Sequence, residues 1–472
     1  MGLQDYVSVT EKGAMKLDTP NMLHFVATEK HLAKHNDEIL LYEQEQWIDA
    51  KKYLNAIYSQ YPGYNANIKS TINAVVEGYS NNPLLTSNIK WNAANYVEFN
   101  NGIYSFGSNT LLPKTYDKYQ TIKIDCNYVD GATSEILDNT LKMILPDERT
   151  RESYLSYLGY IFYKDNLKFG KWTVNYGLTH TCKSTIGNII VNLLNRTDLV
   201  AMIQPKDLGA RFISKYTYNK LLLYCDDLTD GYINDTGAWK SGATGSIERI
   251  EAKGKDSFTS KERSFCKLIA NSNTLLKTQE GQFDDAMKRR TLVFPFNEQI
   301  LEDDPRYDPE LISKLYTDEV EEALVYKSIQ AFRKVLQRGE FDETNEMKSY
   351  LTELVDSNRQ HELLLRELDL DYMQLDDAYN VFNKACINRN MTSMRFDWFT
   401  KNLKLPVKHG YIMSEEPRIL DKMLYDIALL IDPKIKNKEY AELLGFTKTR
   451  TTRNGKKVYI MREKKVSSDL DS

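Results

Sequence analysis

The run GLTHTCKST places Lys183, Ser184 and Thr185 directly after Gly177, Thr181 and Cys182. A lysine and a serine at the start of a helix suit phosphate chemistry. Backbone N–H groups and the helix N-terminus face the anion, the lysine reaches the β/γ-phosphates of ATP, and the serine hydroxyl ligates Mg²⁺. Forty-three residues beyond Lys183, the apolar run from Leu221 to Cys225 stops in Asp226-Asp227. Acids at the end of a strand beside a phosphate loop can hold the Mg²⁺ shell (Asp226) and orient or activate the attacking water (Asp227). A later apolar run ends in Asn271-Ser272-Asn273, and Asn273 is the amide expected to sense the γ-phosphate or position the water. Arg289-Arg290 then precede TLVFPF, arginines suited to stabilising transition-state charge on a phosphate bound by a neighbouring subunit.

The loop departs from its pattern, G-x-x-x-x-G-K-[ST], because Cys182 stands where the second glycine belongs. Glycine is favoured there because the backbone must approach the phosphate closely, so a Cβ and a sulfur crowd the nucleotide or distort the loop. Plainer readings exist for each piece: an ordinary loop before a helix, an acidic turn after a strand, a solvated Lys-Gly-Lys turn.

Elements to position these groups are legible around them. Ile186, Ile189, Ile190, Leu193 and Leu194 recur at helical spacing after the loop, and an extended run, KWTVNY, precedes it. DLVAMIQ reads as a second strand and DLGARFISKY as its helix, which fills the interval to Asp226 as an α/β nucleotide-binding core requires. Residues 239–262 combine Gly242, Gly245 and Gly254 with Arg249, Lys253 and Lys255. Lys253-Gly254-Lys255 reads as a hairpin tip whose cations suit a phosphodiester backbone. Upstream, DAKKYLNAIYSQY, IKSTINAVVEGYS, SEILDNTLKMIL and ERTRESYLSYLGYIFY read as helices, EILLYEQEQW as extended, and YVEFNNGIYSF as a hairpin turning at Asn101-Gly102. Residues 1–150 are therefore expected to be mostly helical, with no catalytic constellation.

Downstream, residues 309–355 read as two or three amphipathic helices closing the core, and residues 358–371 as a charged linker. LDDAYNVFNKACINRNM and MRFDWFTKNLKL give helix, loop, helix before a β-stretch, the order of a winged helix. KEYAELLGF adds a short helix, and a basic hairpin turns at Asn454-Gly455. From Lys434 to Lys465 there are eleven basic and three acidic residues, among them Arg450, Arg453, Lys456 and Lys457. In a chain of net charge −4 this is where DNA phosphates would be met; a solvated basic tail is the plainer alternative.

The order of these motifs resembles the superfamily 3 helicases, in the branch found in phage, satellite and mobile-island primase-helicases and replication initiators. Phosphate loop, strand-Asp-Asp, TGSIERIEAKGKDSF, LIANSN and DDAMKRRTLVFPF follow one another as in that family, and the likeness covers roughly residues 30 to 405. The resemblance implies an α/β, AAA+-like ATPase core (151–300), with a helical N-terminal collar for oligomerisation (1–150), a helical closing segment (301–360) and a C-terminal winged-helix region with a basic wing (365–472). It implies that Gly177, Thr181, Cys182, Lys183, Ser184 and Thr185 bind ATP, and that Ser184 and Asp226 hold Mg²⁺. Asp226, Asp227 and Asn273 would act in hydrolysis, with Arg289 or Arg290 supplied in trans. Arg249, Lys253 and Lys255 would track DNA in the pore of a hexameric ring moving 3′ to 5′. No primase chemistry is expected ahead of the helicase part. The alternative is an origin-binding or regulatory protein whose nucleotide site Cys182 has degraded; a ring ATPase that packages or remodels DNA is a third class.

The whole chain sets looser bounds. Its 472 residues suffice for two to four domains, and no apolar stretch is long enough to span a membrane. Five cysteines, Cys126, Cys182, Cys225, Cys266 and Cys386, are odd in number and scattered, as reduced thiols in a bacterial cytoplasm would be. The expected partners are single-stranded and double-stranded origin DNA, other copies of the chain and host replication proteins.

Overall fold

The computed structural model describes residues 3–36, 38–79, 89–204, 217–227, 232–233, 236–245, 247–250, 258–278, 283–368, 370, 375–389, 391–403, 407–408 and 411–412. The chain divides into two compact units, Met1–Val355 and Asp356–Ser472.

The first unit opens with strands β1 (Val7–Val9) and β2 (Met15–Leu17), helix α1 (Thr19–Glu29), and an antiparallel meander of β3 (Leu32–His35), β4 (Glu38–Glu43) and β5 (Gln46–Asp49). Helices α2 (Ala50–Tyr58) and α3 (Ala66–Gly78) follow. With α1 and the meander they enclose a small core of Met22, Val26, Leu41, Leu54, Tyr58, Ile72 and Val76. A second meander, β6 (Tyr96–Phe99), β7 (Gly102–Ser105) and β8 (Thr110–Leu112), precedes α4 (Glu135–Ile144) and α5 (Glu148–Phe162).

The expectation of a mostly helical start is therefore corrected: eight strands lie before residue 113. They are three to six residues long; β4 and the start of β5 fall on the extended EILLYEQEQW and β6 and β7 on the expected hairpin, while β1, β2, β3 and β8, at three or four residues, are too short for alternation to mark. The expected hairpin forms one residue early. Phe99 pairs with Gly102 across Asn100 and Asn101.

The central sheet comprises β9 (Trp172–Tyr176), β10 (Val200–Met202), β11 (Leu222–Cys225), β15 (Lys267–Ser272) and β17 (Thr291–Pro295), ordered β10-β11-β15-β9-β17 with every pairing parallel. Alternate side chains enter two cores, as a sheet covered on both faces requires. Leu222, Tyr224, Leu292 and Phe294 join one core with α5, α6 (Lys183–Asn195) and the long helix of residues 318–338. Trp172, Val174, Leu223 and Cys225 join the other, with helices of residues 236–244, 285–290 and 345–357.

In chain order those are α7 (Thr236–Thr244), α8 (Asp285–Arg290), α9 (Leu311–Leu315), α10 (Asp318–Arg338) and α11 (Asn345–Ser357). Two or three helices are expected over 309–355; the structure has three, α9, α10 and α11. Caps set helix ends: the Asp147 side chain accepts from the Thr150 N–H at 2.7 Å to start α5, and the left-handed backbone of Gly339, at φ 90°, ends α10. A Cβ on Gly159 of α5 would lie 2.0 Å from the Ser328 carbonyl oxygen, so these two backbones pack without a side chain between them. Because the first core runs from Val97 through Met347, the expected divisions at 150 and 300 fall inside one continuous interior.

Smaller pairings complete the unit. β12 (Tyr232–Ile233) runs parallel to β16 (Lys277–Thr278), and β13 (Ile247–Ile250) pairs antiparallel with β14 (Phe258–Arg263). The helix expected at DLGARFISKY lies outside the described residues.

The second unit contains α12 (Gln360–Glu367), α13 (Leu375–Asn388), α14 (Phe396–Asn402) and the antiparallel pair β18 (Val407–Lys408) and β19 (Tyr411–Ile412). The expected linker at 358–371 is corrected by α12. His361, Leu364 and Leu365 are buried at i, i+3 and i+4 while Glu362, Arg366 and Glu367 remain outside that stripe. Leu364 and Leu365 share a core with Phe382 and Phe399, and Phe382 stacks on Trp398 with ring centres 5.9 Å apart. The expected short helix at KEYAELLGF and the basic hairpin with Arg450, Arg453, Lys456 and Lys457 lie outside the described residues.

Candidate functional site

Reading the sheet from β17, its strands in chain order run fifth, first, fourth, third, second. The chain leaves β9 for one side of the sheet and leaves β15 for the other, so a crevice opens beyond the C-terminal ends of these two neighbours. The loop of residues 177–182 starts there. Gly177 donates its N–H to the Ser272 carbonyl at 3.2 Å, and a Cβ on it would lie 2.0 Å from the Phe296 carbonyl oxygen. Only glycine fits where the loop leaves the sheet. Midway, the His180 carbonyl accepts from Ile300 N–H at 2.8 Å and the Thr179 carbonyl from Gln299 Nε2 at 3.0 Å.

Cys182 caps α6 in the left-handed region, at φ 55° and ψ 24°, without a side-chain hydrogen bond to the helix. That conformation costs a residue bearing a Cβ about 1–2 kcal/mol and glycine almost nothing. It is the physical reason the pattern asks for glycine here. Burial pushes the half-buried Cys182 thiol up, with Thr185 and Lys183 acting against that shift.

Lys183 is turned back into the loop. Its Nζ donates to the carbonyls of Gly177 at 2.7 Å and Leu178 at 2.5 Å and to Thr181 Oγ1 at 3.1 Å. Burial pushes this amine down, while Asp227 works the other way. The three acceptors hold the ammonium at the mouth of the loop, where an anion would take their place.

Asp226 and Asp227 are exposed at the end of β11. Asp226 Oδ1 accepts from Asn271 Nδ2 at 3.1 Å and from the Tyr224 hydroxyl at 3.3 Å. The same Asn271 Nδ2 lies 3.5 Å from Ser184 Oγ, so the serine and the aspartate expected to hold Mg²⁺ converge on one amide. Asn271 is 1% exposed, and its Oδ1 accepts from Asn175 Nδ2 at 2.9 Å, its register partner across the sheet. Asn273 is exposed, one residue beyond the end of β15. The amide at the junction is Asn271, a correction of two residues.

The remaining expected residues fall elsewhere. Thr185, half-buried in the first turn of α6, donates its N–H to the Cys182 carbonyl at 3.1 Å. Arg289 is exposed and Arg290 half-buried at the end of α8. Thr291 just after them pairs with Trp172, so the arginines sit at the N-terminal edge of the sheet, opposite the loop of their own chain. Arg290 Nη1 donates to the Ala286 carbonyl at 3.0 Å, and its buried Nε has no hydrogen-bond partner among the described residues. Arg249 stands on β13 opposite Thr259; the tip with Lys253 and Lys255 lies outside the described residues. Tyr224, Asn175 and Asn271 had a signal in sequence, namely polar atoms at the ends of otherwise apolar runs, as in WTVNY, LLLYC and LIAN.

The donor set fits Mg²⁺ with ATP: one hydroxyl and one carboxylate around a shared amide suit a hard cation that keeps its waters and shares phosphate oxygens. Among the described residues no helix is long and apolar enough to cross a membrane.

Residues 175–290 match the model of a family of unknown function, DUF5906, an interval running from the end of β9 to the end of α8. No curated protein matches the chain. Among solved structures, the A form of the apo C-terminal region of NrS-1 aligns at 14% identity over 93% of this chain and 98% of its own, with a TM-score of 0.46. A second apo structure of that region, residues 305–718, aligns at 15% identity over 93% and 97%, with a TM-score of 0.45.

Proposed function

We propose that this chain is an ATP-dependent DNA helicase and replication initiator of a mobile genetic element, built on an AAA+-like core of the superfamily 3 type. One observation carries the reading: Lys183, Ser184, Asp226 and Asn271 meet at the start of α6, in the crevice of a parallel sheet. The fifth-first-fourth-third-second strand order supports it.

Each group then has a task. The uncapped N–H groups at the start of α6 and the Lys183 ammonium receive the phosphates. Ser184 and Asp226 hold Mg²⁺, which neutralises charge developing between the β- and γ-phosphates. Asp227 orients the attacking water, and the Asn271 amide, rather than Asn273, ties the metal-binding carboxylate to the end of β15. Arg289 or Arg290 reaches a site on an adjacent copy, since both lie at the sheet edge away from their own loop, and a hexameric ring supplies that neighbour. Lys253 and Lys255, between β13 and β14 in sequence, bind single-stranded DNA in the pore. The three helices and hairpin of the second unit form a winged helix, and the basic stretch around Arg450, Arg453, Lys456 and Lys457 binds origin duplex. Host replication proteins in a bacterial cytoplasm complete the setting.

A second reading has a specific observation behind it. Cys182 stands in a conformation that disfavours a Cβ, and Lys183 is engaged by its own loop, as in an origin-binding protein with a weakened nucleotide site.

ATP hydrolysis with and without single-stranded DNA separates the two. Activity in the natural chain that disappears in Lys183→Ala is expected for the helicase. Hydrolysis only in Cys182→Gly would assign the chain to DNA binding and assembly, and no hydrolysis in either form would remove the motor.

A further inference from the structure

We infer that Tyr224 is a positioning residue, its hydroxyl fixing the Asp226 carboxylate for metal binding, and that residue 187 is glycine to leave room for that hydroxyl. The inference rests on the nucleotide-site reading above.

The hydrogen-bond directions are determined. Tyr224 is fully buried on β11, and its oxygen lies 2.9 Å from Asn271 Nδ2 and 3.3 Å from Asp226 Oδ1. An amide nitrogen only donates and a carboxylate only accepts, so the phenol accepts from the first and gives its single proton to the second. Asn271 is held against flipping because its Oδ1 is occupied by Asn175 Nδ2. Asp226 Oδ1 thus receives two donors from the buried side, and its second oxygen, with no donor among the described residues, is left for a cation.

Gly187 is an independent sign of the same arrangement. It lies inside α6, where glycine weakens a helix. A Cβ there would sit 2.3 Å from the Tyr224 hydroxyl and 2.8 Å from its Cε2. The helix accepts a poor residue so that the ring can pass beneath it and reach Asp226.

The test uses the full chain with ADP and Mn²⁺ as a spectroscopic substitute for Mg²⁺, bound metal being read by electron paramagnetic resonance. Tyr224→Phe is expected to weaken Mn²⁺ binding about tenfold, the size of one lost hydrogen bond to a charged acceptor, with metal-free ADP affinity little changed. In an Asp226→Asn background the same substitution is expected to cost nothing further, a coupling that a purely structural role would not produce. Gly187→Ala, which keeps the phenol but displaces it, is expected to reproduce the metal defect. Wild-type Mn²⁺ affinity in Tyr224→Phe, or a full additional loss beside Asp226→Asn, overturns the inference while leaving the nucleotide reading intact. A natural chain that binds no ADP overturns that reading and this inference with it.

Discussion

Two lysines of the central domain solve the same local problem with opposite consequences. Lys183 and Lys267 are both buried, both donate to backbone carbonyls, and burial pushes both amines down. Lys267 begins β15 at the N-terminal edge of the sheet. It donates to the Tyr163 and Phe265 carbonyls, and its Nζ lies 4.4 Å from the centre of the Tyr160 ring. Its acceptors belong to the end of α5 and to the approach to β15, fixed by the core around them. Lys183 stands at the C-terminal edge, and its acceptors belong to a loop that leaves the sheet at the closely packed Gly177 and bends through left-handed His180 and Cys182. One lysine is a buried strut; the other, on the function proposed above, is held for an anion. Burial alone does not separate them; their places on a parallel sheet do.

The largest effect expected from this contrast is on stability. Lys267→Ala leaves two carbonyls without a donor and opens a cavity, so it should cost about 4 kcal/mol in urea unfolding. Lys267→Met, which keeps the stem, should cost less. If either substitution impaired nucleotide binding in the folded protein, the strut assignment would be wrong.

Lys183→Ala should do the reverse, lowering affinity for a fluorescent ATP analogue by at least about a hundredfold while changing unfolding by about 1 kcal/mol or less. A large stability loss without a binding defect would make the two lysines equivalent.

Cys182→Gly should be milder, raising stability by about 1 kcal/mol through relief of the left-handed backbone, offset in part by the lost packing of the thiol. Cys182→Ala, which retains a Cβ, should show no such gain. Equal thermal midpoints for the alanine and glycine variants would locate the strain elsewhere.

The smallest effect is on pH dependence. A lysine held below its ordinary value of 10.5 in the folded chain binds its proton more readily when unfolded. Its contribution to stability therefore rises with pH from the depressed value up to 10.5. Lys267 is held well below that value and Lys183 less so, so Lys267→Met should flatten the difference in urea midpoint between about pH 7 and about pH 9 more than Lys183→Met does. Equal flattening would erase the distinction.

The sequence by itself determined the local chemistry: a phosphate-type loop before an apolar helical stripe, an acidic end to a buried strand, a hairpin between glycines, an arginine pair before another strand. Each is encoded in short stretches whose period or punctuation survives without neighbours. Of the N-terminal strands, β4, the start of β5, β6 and β7 fall on stretches read as extended or as a hairpin, whereas β1, β2, β3 and β8 span only three or four residues, too few to carry a period. The linker that became α12 was obscured by charges surrounding a narrow His361-Leu364-Leu365 stripe.

Tertiary structure alone decided which amide serves the site. Two residues apart in sequence, Asn271 and Asn273 are equally placed by alternation. Register with β9 sets Asn271 beside Asn175 and under Asp226, while Asn273 falls beyond the last pairing. The pairing of Gly187 with Tyr224 is likewise invisible along the chain, since it depends on how closely α6 lies over β11. Such choices belong to pairings between distant segments, and a local pattern contains no term for them.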